Sequence, residues 1–399
     1  MMSIEQAVRS EQAVRSEPPA ILTLAFRPFF LAASLWSALA LASWVAMLMG
    51  GMALPSRFDP LSWHIHEMLF GFVPAAIAGF MLTAIPNWTG RPPLRGAPLA
   101  GLMTLWLLGR IACLISAWIP FWLAAAIDLS FLATLCAVAA REIVTARNWR
   151  NLPMPIPIAV LGIADLLMWL SASGAAVPAG MGMRLGLAAI IVLISVVGGR
   201  IIPSFTRNWL VKRGAAKLPA AHGLIDRIGL GALHAGLIAW VFLPLFRPIG
   251  ALLLLAAALN LWRLARWCGA ATLAEPLLAI LHLGYLWVIV GAALLGATLL
   301  SSLIPQAAAI HALTAGAIGT MVLAVMTRVS LGHTGRPLQA NRSTTLIYLL
   351  VSGAAVLRVA AAFTGASQML LLDVSATLWT LSFALFAAVY GPMLARRRA

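Results

Sequence analysis

Residues 63–92, WHIHEMLFGFVPAAIAGFMLTAIPNWTGRP, decide the fold. Two histidines and a glutamate open an apolar run of about 20 helical residues, enough to cross ~30 Å of hydrocarbon, and the run leaves through a Pro/Gly/Arg turn. A weaker copy occurs twice more. Aligning Thr89 of IPNWTG with Thr206 of IPSFTR and Thr334 of LGHTGRP superposes the three exits, at separations of 117 and 128 residues. The third copy also matches at its entrance, because His66–Thr89 and His311–Thr334 are each 23 residues apart and Gly71 and Gly316 each lie five past the histidine. Self-similarity at a long period marks an internal repeat, and its period sets the architecture.

The composition fits that reading. The chain is 62% hydrophobic and 10% charged, with a mean hydropathy of +0.97, which excludes an ordinary soluble domain and calls for a polytopic helical membrane protein. Cys113, Cys136 and Cys268 are scattered and form no CxxC or CxxCH, so no thiolate metal site, covalent haem or disulfide framework is expected. The formal charge of +16 would point to nucleic acid in a soluble protein. Here its distribution explains it. Of 27 Lys and Arg, only Arg57, Arg184 and Arg247 fall in or beside odd-numbered connections and only Arg110 and Arg358 deep inside spans, away from their ends. The rest lie at the termini and in even-numbered connections, which by the positive-inside rule places both termini in the cytoplasm. Basic loops facing anionic lipid headgroups leave no need for a nucleic-acid partner.

Residues 1–22 carry EQAVRS twice in tandem, at 5–10 and 11–16, and have neither an apolar face nor the h-region of a signal peptide. They are expected to be a disordered cytoplasmic tail, with residues 23–399 forming one transmembrane domain. Arg27-Pro28 opens the first of twelve apolar runs, at 28–52, 62–85, 98–117, 119–140, 156–173, 180–202, 224–245, 248–267, 276–300, 306–327, 344–364 and 372–394. Trp63, Trp118 and Trp122 fall near span ends, where an interfacial belt would put them. The three copies lie on spans 2, 6 and 10. The expected fold is therefore all-α, with twelve spans as three four-helix repeats; an even number per repeat makes them parallel, unlike the inverted repeats of many transporters.

Ionisable side chains inside spans are costly without partners, so each one is a functional candidate. His64, His66 and His311 stand at similar depth near the outer ends of spans 2 and 10; His234 is midway along span 7 and His282 on the inner half of span 9. Two residues apart on a helix point about 200° apart, so His64 and His66 cannot serve one ion but can serve two sites on opposite faces. They read either as metal ligands or as a hydrogen-bonded interfacial pair. His234 and His282 read either as ligands of copper or another non-haem metal or as interhelical hydrogen bonders, with Tyr285, one turn past His282, as a proton partner. Glu67 reads as a proton donor, as an acceptor for a ligand N–H, or as a helix-start charge. Arg110 and Asp128, each about two turns from a tight hairpin, can meet as a buried ion pair; Asp165 and Arg358 are also inside spans. His333 emerges at the opposite end of its helix from His311 and joins Arg91, Arg207, Arg328 and Arg336 in a basic rim. Gly71, Gly79, Gly316 and Gly319, with Ala312 and Ala315, let helices approach closely or leave room for a flat macrocycle.

The arrangement resembles the main subunit of the haem-copper oxidases, with twelve helices in threefold pseudosymmetry and metal ligands on the second, sixth and tenth. A similar His-x-His there ligates two haems. That resemblance implies a bis-imidazole haem between His311 and one of His64 and His66, a second cofactor on the side facing span 6 or 7, and Arg358 beside haem propionates. More specifically, WHIHEMLFG at 63–71, PNWTGRP at 86–92, GGRIIPSFT at 198–206 and VMTRVSLGHTGRPL at 325–338 resemble the signature stretches of the NnrS family of bacterial membrane proteins. This implies a haem- and copper-containing protein of the bacterial inner membrane, with haem bound non-covalently as the b type, that responds to nitric oxide and protects against nitrosative stress. Reductive turnover of nitric oxide would draw on an electron donor and on protons through Glu67 or a cytoplasmic path. A metal-handling permease and a non-catalytic nitric oxide sensor are the alternatives.

The charge asymmetry predicts sidedness directly. Reporter fusions in the connection at 212–223 should be active only as cytoplasmic reporters and those at 173–180 only as periplasmic ones; the reverse pattern would invert the topology.

Overall fold

The computed structural model describes residues 18–396, all of whose regular structure is helical. Residues 1–17 of the expected tail lie outside the described residues, while Ala20–Leu22 form a 3-10 turn whose Leu22 carbonyl accepts a 2.9 Å bond from the Gly96 N–H. Twelve helices among the described residues are long and apolar enough to cross a membrane. They are α1 Phe26–Leu48, α2 Pro60–Thr89, α3 Ala97–Leu114, α4 Phe121–Thr145, α5 Trp149–Ala172, α6 Met181–Val211, α7 Leu224–Phe242, α8 Arg247–Ala265, α9 Pro276–Leu300, α10 Gln306–His333, α11 Arg342–Phe363 and α12 Gln368–Ala395. The chain is a multi-pass membrane protein.

Each boundary has a local cause. Asp59 caps α2 by accepting from the N–H groups of Leu61 and Ser62 at 3.0 and 3.1 Å, with Pro60 in the first turn. Burial works to raise the Asp59 pKa, but the hydrogen bonds from Ser62 and Leu61 outweigh it and hold the carboxyl below its ordinary value. Gly90, at φ +71°, ends α2 in the left-handed conformation that a side chain resists. Two helices outrun their apolar stretches. α6 and α10 continue to Val211 and His333, and arginines cover two aromatic rings on the α6 extension, Arg213 over Trp209 and Arg328 of α10 over Phe205, each at 4.0 Å.

The repeat is visible in the packing. α2, α6 and α10 touch one another at the centre, and α2 and α10 are the most buried spans, at 83% and 67% against 28% for α12. In the first repeat α2 packs on α1 and α4 and α3 on α4; in the third, α10 packs on α9 and α12 and α11 on α12. α12 then packs on α1 and closes the ring. Arg27 secures the closure, its Nη1 donating to the carbonyls of Met393, Leu394 and Arg396 at 3.2, 2.9 and 2.9 Å at the end of α12.

One feature of the repeat has no sequence signature. Directly after the aligned histidines, both central helices widen into π-helix, over Glu67–Phe72 in α2 and Ala312–Gly319 in α10. α6, which has no such histidine, stays α-helical throughout. Turns of this kind recur at functional sites. The small residues do not leave open space for a macrocycle: a Cβ on Gly79 would lie 2.6 Å from the Phe30 ring, on Gly316 2.5 Å from Trp287 and on Gly319 2.4 Å from Trp379. The chain's own aromatic rings fill those faces. Trp118 and Trp122 are exposed as a belt requires, but Trp63 is buried against Phe58, Cys113 and Trp169 and is a core residue.

A close backbone approach joins α8 to α9, where a Cβ on either Gly250 or Gly296 would lie 2.7 Å from the other's carbonyl oxygen. Gly296→Ala should lower thermal stability in detergent by several degrees, whereas Gly231→Ala, which would meet nothing within 4 Å, should not. Equal melting of the two variants would contradict the packing.

Candidate functional site

His64 and His66 face opposite sides of α2, as their spacing requires. His64 lines a cavity of about 400 Å³ bounded by α1, α2, α6, α10, α11 and α12. His311 and Arg358 line the same cavity, with Trp44, Met68 and Trp379 among its largely apolar walls. Trp44 stacks on the His64 ring at 4.3 Å, fixing its plane, and His64 Nδ1 is buried without a hydrogen-bond partner. His311 Nδ1 lies 2.8 Å from the Ala307 carbonyl, which can only accept, so Nδ1 carries the proton and Nε2 keeps its lone pair. No acidic residue lines the cavity, and Arg358 has neither a hydrogen bond nor an ion pair among the described residues. The site presents two imidazoles and one uncompensated cation.

His66 points the other way, into a buried charge cluster between α2, α3, α4 and α5. Its Nε2 lies 2.9 Å from Asp165 Oδ1 and 3.0 Å from Asp128 Oδ2, and its Nδ1 3.1 Å from Glu67 Oε1 and 3.5 Å from Cys113 Sγ. Glu67 Oε2 accepts from Arg110 Nη1 at 2.6 Å and from Trp36 Nε1 at 2.7 Å. Arg110 Nη2 donates to Asp128 Oδ1, and Trp169 Nε1 donates to Asp128 Oδ2 at 3.0 Å. The expected Arg110–Asp128 pair is present, within a larger network. The second face of the His-x-His pair thus looks toward α3, α4 and α5, and not toward α6 or α7, because α2 packs against α3 and α4 on that side. Glu67 is likewise turned from the cavity and held by Arg110 and Trp36. Two donor sets, His66–Glu67–Cys113 and His66–Asp128–Asp165, have ligand atoms within 4.8 Å of one another and could hold a metal ion.

The remaining candidates do not join these sites. His234 Nε2 is 2.7 Å from Ser195 Oγ and His282 Nε2 is 2.9 Å from Thr206 Oγ1, which are interhelical hydrogen bonds. Neither belongs to a metal-ligand cluster among the described residues. Tyr285 does not partner His282. Its hydroxyl accepts from Arg263 Nη1 at 2.5 Å and donates to Asn260 Oδ1 at 2.8 Å, and Arg263 Nε in turn donates to Asp226 Oδ1 at 2.9 Å. Arg263 is therefore a buried structural cation and not part of the loop charge. Gly199 admits it, since a Cβ there would lie 2.0 Å from Arg263 Nη2. His333 packs on Phe26 at 5.7 Å, at the far end of α10 from His311.

The NnrS protein family profile matches residues 20–398, nearly the whole chain. The chain belongs to the NnrS family. No curated protein sequence matches it. All four quoted motifs fall within the matched range, and the structure gives two of them a chemical place: WHIHEMLFG carries the cavity histidine, the cluster histidine and the π-turn; GGRIIPSFT carries Gly199 and the His282 partner Thr206. The acids that complete the cluster, Asp128 and Asp165, are the lone carboxylates of the apolar runs 119–140 and 156–173, and that isolation was the signal that each needs a buried partner.

Removing one partner from a buried ion network costs about 3–5 kcal/mol, because the remaining charges are left uncompensated. Arg110→Met should therefore prevent accumulation of monodisperse protein in detergent. His64→Ala, at the cavity wall, should leave it intact; comparable chromatographic profiles for the two variants would contradict the assignment of roles.

Proposed function

We propose that the outer cavity holds haem, with His64 and His311 as the imidazoles that grip iron and Arg358 facing the propionates, and that the protein binds and reduces nitric oxide in the bacterial inner membrane. The observation that carries this reading is that histidines from the first and third repeats line one apolar cavity with ring nitrogens available. The residues fit the group on three counts. An imidazole with an unpartnered ring nitrogen suits haem iron, the apolar and aromatic walls suit a macrocycle, and a cation without an acid in reach suits its carboxylates. NnrS membership supports the link to nitric oxide.

With iron held by one of these imidazoles and the other free to leave it, haem would supply a site for nitric oxide and a route for electrons; the chain's own residues do the rest. Trp44 holds the His64 ring in plane, and the Ala307 carbonyl fixes the His311 tautomer so that Nε2 faces outward from its own helix turn. The apolar walls exclude water while admitting a small uncharged molecule from lipid. Reduction of nitric oxide to nitrous oxide and water consumes one electron and one proton per molecule, the electrons coming from a separate donor protein or carrier. The expected copper is a poorer fit to the groups around His66. Carboxylate oxygens dominate that donor set, and the Arg110 guanidinium already bridges Glu67 and Asp128.

Purified protein from haem-replete cells should show a Soret band and consume nitric oxide anaerobically when given an electron donor. His64→Ala and His311→Ala should each lose roughly tenfold in haem affinity, while His234→Ala and His282→Ala retain it. A haem-free wild type would favour the permease alternative. Full haem in both cavity variants would overturn the ligand assignment, and haem without turnover would leave a sensor.

A further inference from the structure

The inner half of α10 carries a row of hydroxyls that its two copies lack. Thr320, Thr327, Ser330 and Thr334 lie within an arc of about 80° on one face of the helix and extend over about 21 Å of its length. All four are buried. At the positions matching Thr320, Thr327 and Ser330, α2 has Ala75, Leu82 and Ile85 and α6 has Val192, Gly199 and Ile202, so the fold itself requires no hydroxyl at any of them. Thr327 and Thr334 donate to carbonyls of their own helix, those of Leu323 and Ser330, at 2.8 and 2.7 Å. Thr320 Oγ1 and Ser330 Oγ are instead buried with no hydrogen-bond partner among the described residues. Buried polar groups that the protein leaves unpaired are met by ordered water, and polar groups of this kind inside a span mark routes through it.

Hydroxyls of the neighbouring helices extend the row. Because Thr327 Oγ1 already donates, it accepts from the Tyr348 hydroxyl of α11 at 2.6 Å. Thr344 Oγ1 likewise donates to Asn341 Oδ1 at 2.9 Å and accepts from the Tyr390 hydroxyl of α12 at 2.7 Å. Toward the cavity, Ser382 of α12 donates to the carbonyl of Ile347, the residue before Tyr348, and Gly319, the residue before Thr320, is pressed against Trp379 of the cavity wall. At the other end Thr334 stands where α10 closes, two residues before Arg336 of the basic rim. We propose that water and these hydroxyls form a proton path from the basic end of the bundle to the cavity. Each hydroxyl takes a proton on an oxygen lone pair while its own proton passes to the next oxygen, so one proton enters, one leaves and no side chain ends charged. In the cavity these protons meet the demand of nitric oxide reduction, one for each molecule. That use rests on the haem reading; the water in the path does not.

Hydroxyl-radical footprinting of the purified full chain by a short X-ray pulse reads the water directly and needs no haem, because a buried ring is oxidised in the pulse only where water is bound beside it. Tyr348 and Tyr390, 4% and 1% exposed, should be oxidised, while Trp240, also 1% exposed, should not. Thr320→Val combined with Ser330→Ala should lower the labelling of Tyr348. In haem-loaded protein given nitric oxide and an electron donor, Thr320→Val and Tyr348→Phe should each slow turnover on the order of tenfold or more and enlarge the solvent deuterium isotope effect, with haem content and the spectrum of bound nitric oxide unchanged. Thr104→Val, exposed on α3, should alter none of these. Should Tyr348→Phe fail to accumulate, Thr320→Val, which keeps the shape of the side chain, carries the kinetic arm. Tyrosines as inert as Trp240 in wild type would overturn the proposal, as would undiminished turnover in the variants. Labelled tyrosines in protein that binds no haem, or that holds haem without turnover, would sink the corresponding part of the functional reading and leave the water path standing.

Discussion

A charge inside an apolar bundle persists only where partners meet it, and in this protein Arg110 is the meeting point. Its guanidinium joins Glu67 of α2 to Asp128 of α4, and through them reaches His66, Asp165 and both tryptophan N–H donors. Networks of this kind add little net stability over a well-packed apolar core, but they penalise any arrangement that leaves a member unpaired. They therefore specify one register for α2 against α3, α4 and α5. That register places His64 on the other face, toward α10.

The same constraint explains the glycine in the π-turn. A Cβ on Gly71 would lie 2.6 Å from Arg110 Nη1, 2.7 Å from Glu67 Oε2 and 2.9 Å from Trp36 Nε1, so the backbone itself forms one wall of the ion network. Trp106 adds a hydrogen bond to the Gly71 carbonyl at 2.9 Å. In α10 the corresponding Gly316 is pressed by Trp287, and no ion network forms. The two copies share a backbone irregularity and differ in chemistry: the first repeat carries the ion network on one face and a cavity histidine on the other, the third a cavity histidine alone. Fold symmetry sets where imidazoles stand, and the unique side chains decide what each one does.

Much of this was legible beforehand. Composition and run length are long-range averages, so the span count follows from them; the three-part division follows from the spacing of the repeated motif, and the helical angle between His64 and His66 already required two separate sites. What faces each histidine was not legible, because it depends on how α2 rotates against five neighbours. Trp63 looked interfacial and is core; Arg263 looked like loop charge and pairs with Asp226; Tyr285 looked like a partner for His282 one turn away and instead completes the Arg263 network. Each of these depends on contacts between residues distant in sequence. The π-turns were invisible for a different reason, since a single widened turn leaves the apolar pattern almost unchanged.

The central claim is that imidazoles from two repeats converge on one cavity built to hold haem. An electron cryo-microscopy map of haem-replete protein tests it most directly. The account predicts flat density in the cavity reaching His64 and His311, with Arg358 at its carboxylate edge. Density ligated elsewhere, or a cavity closed by rings turned toward lipid in protein that carries haem, would contradict it.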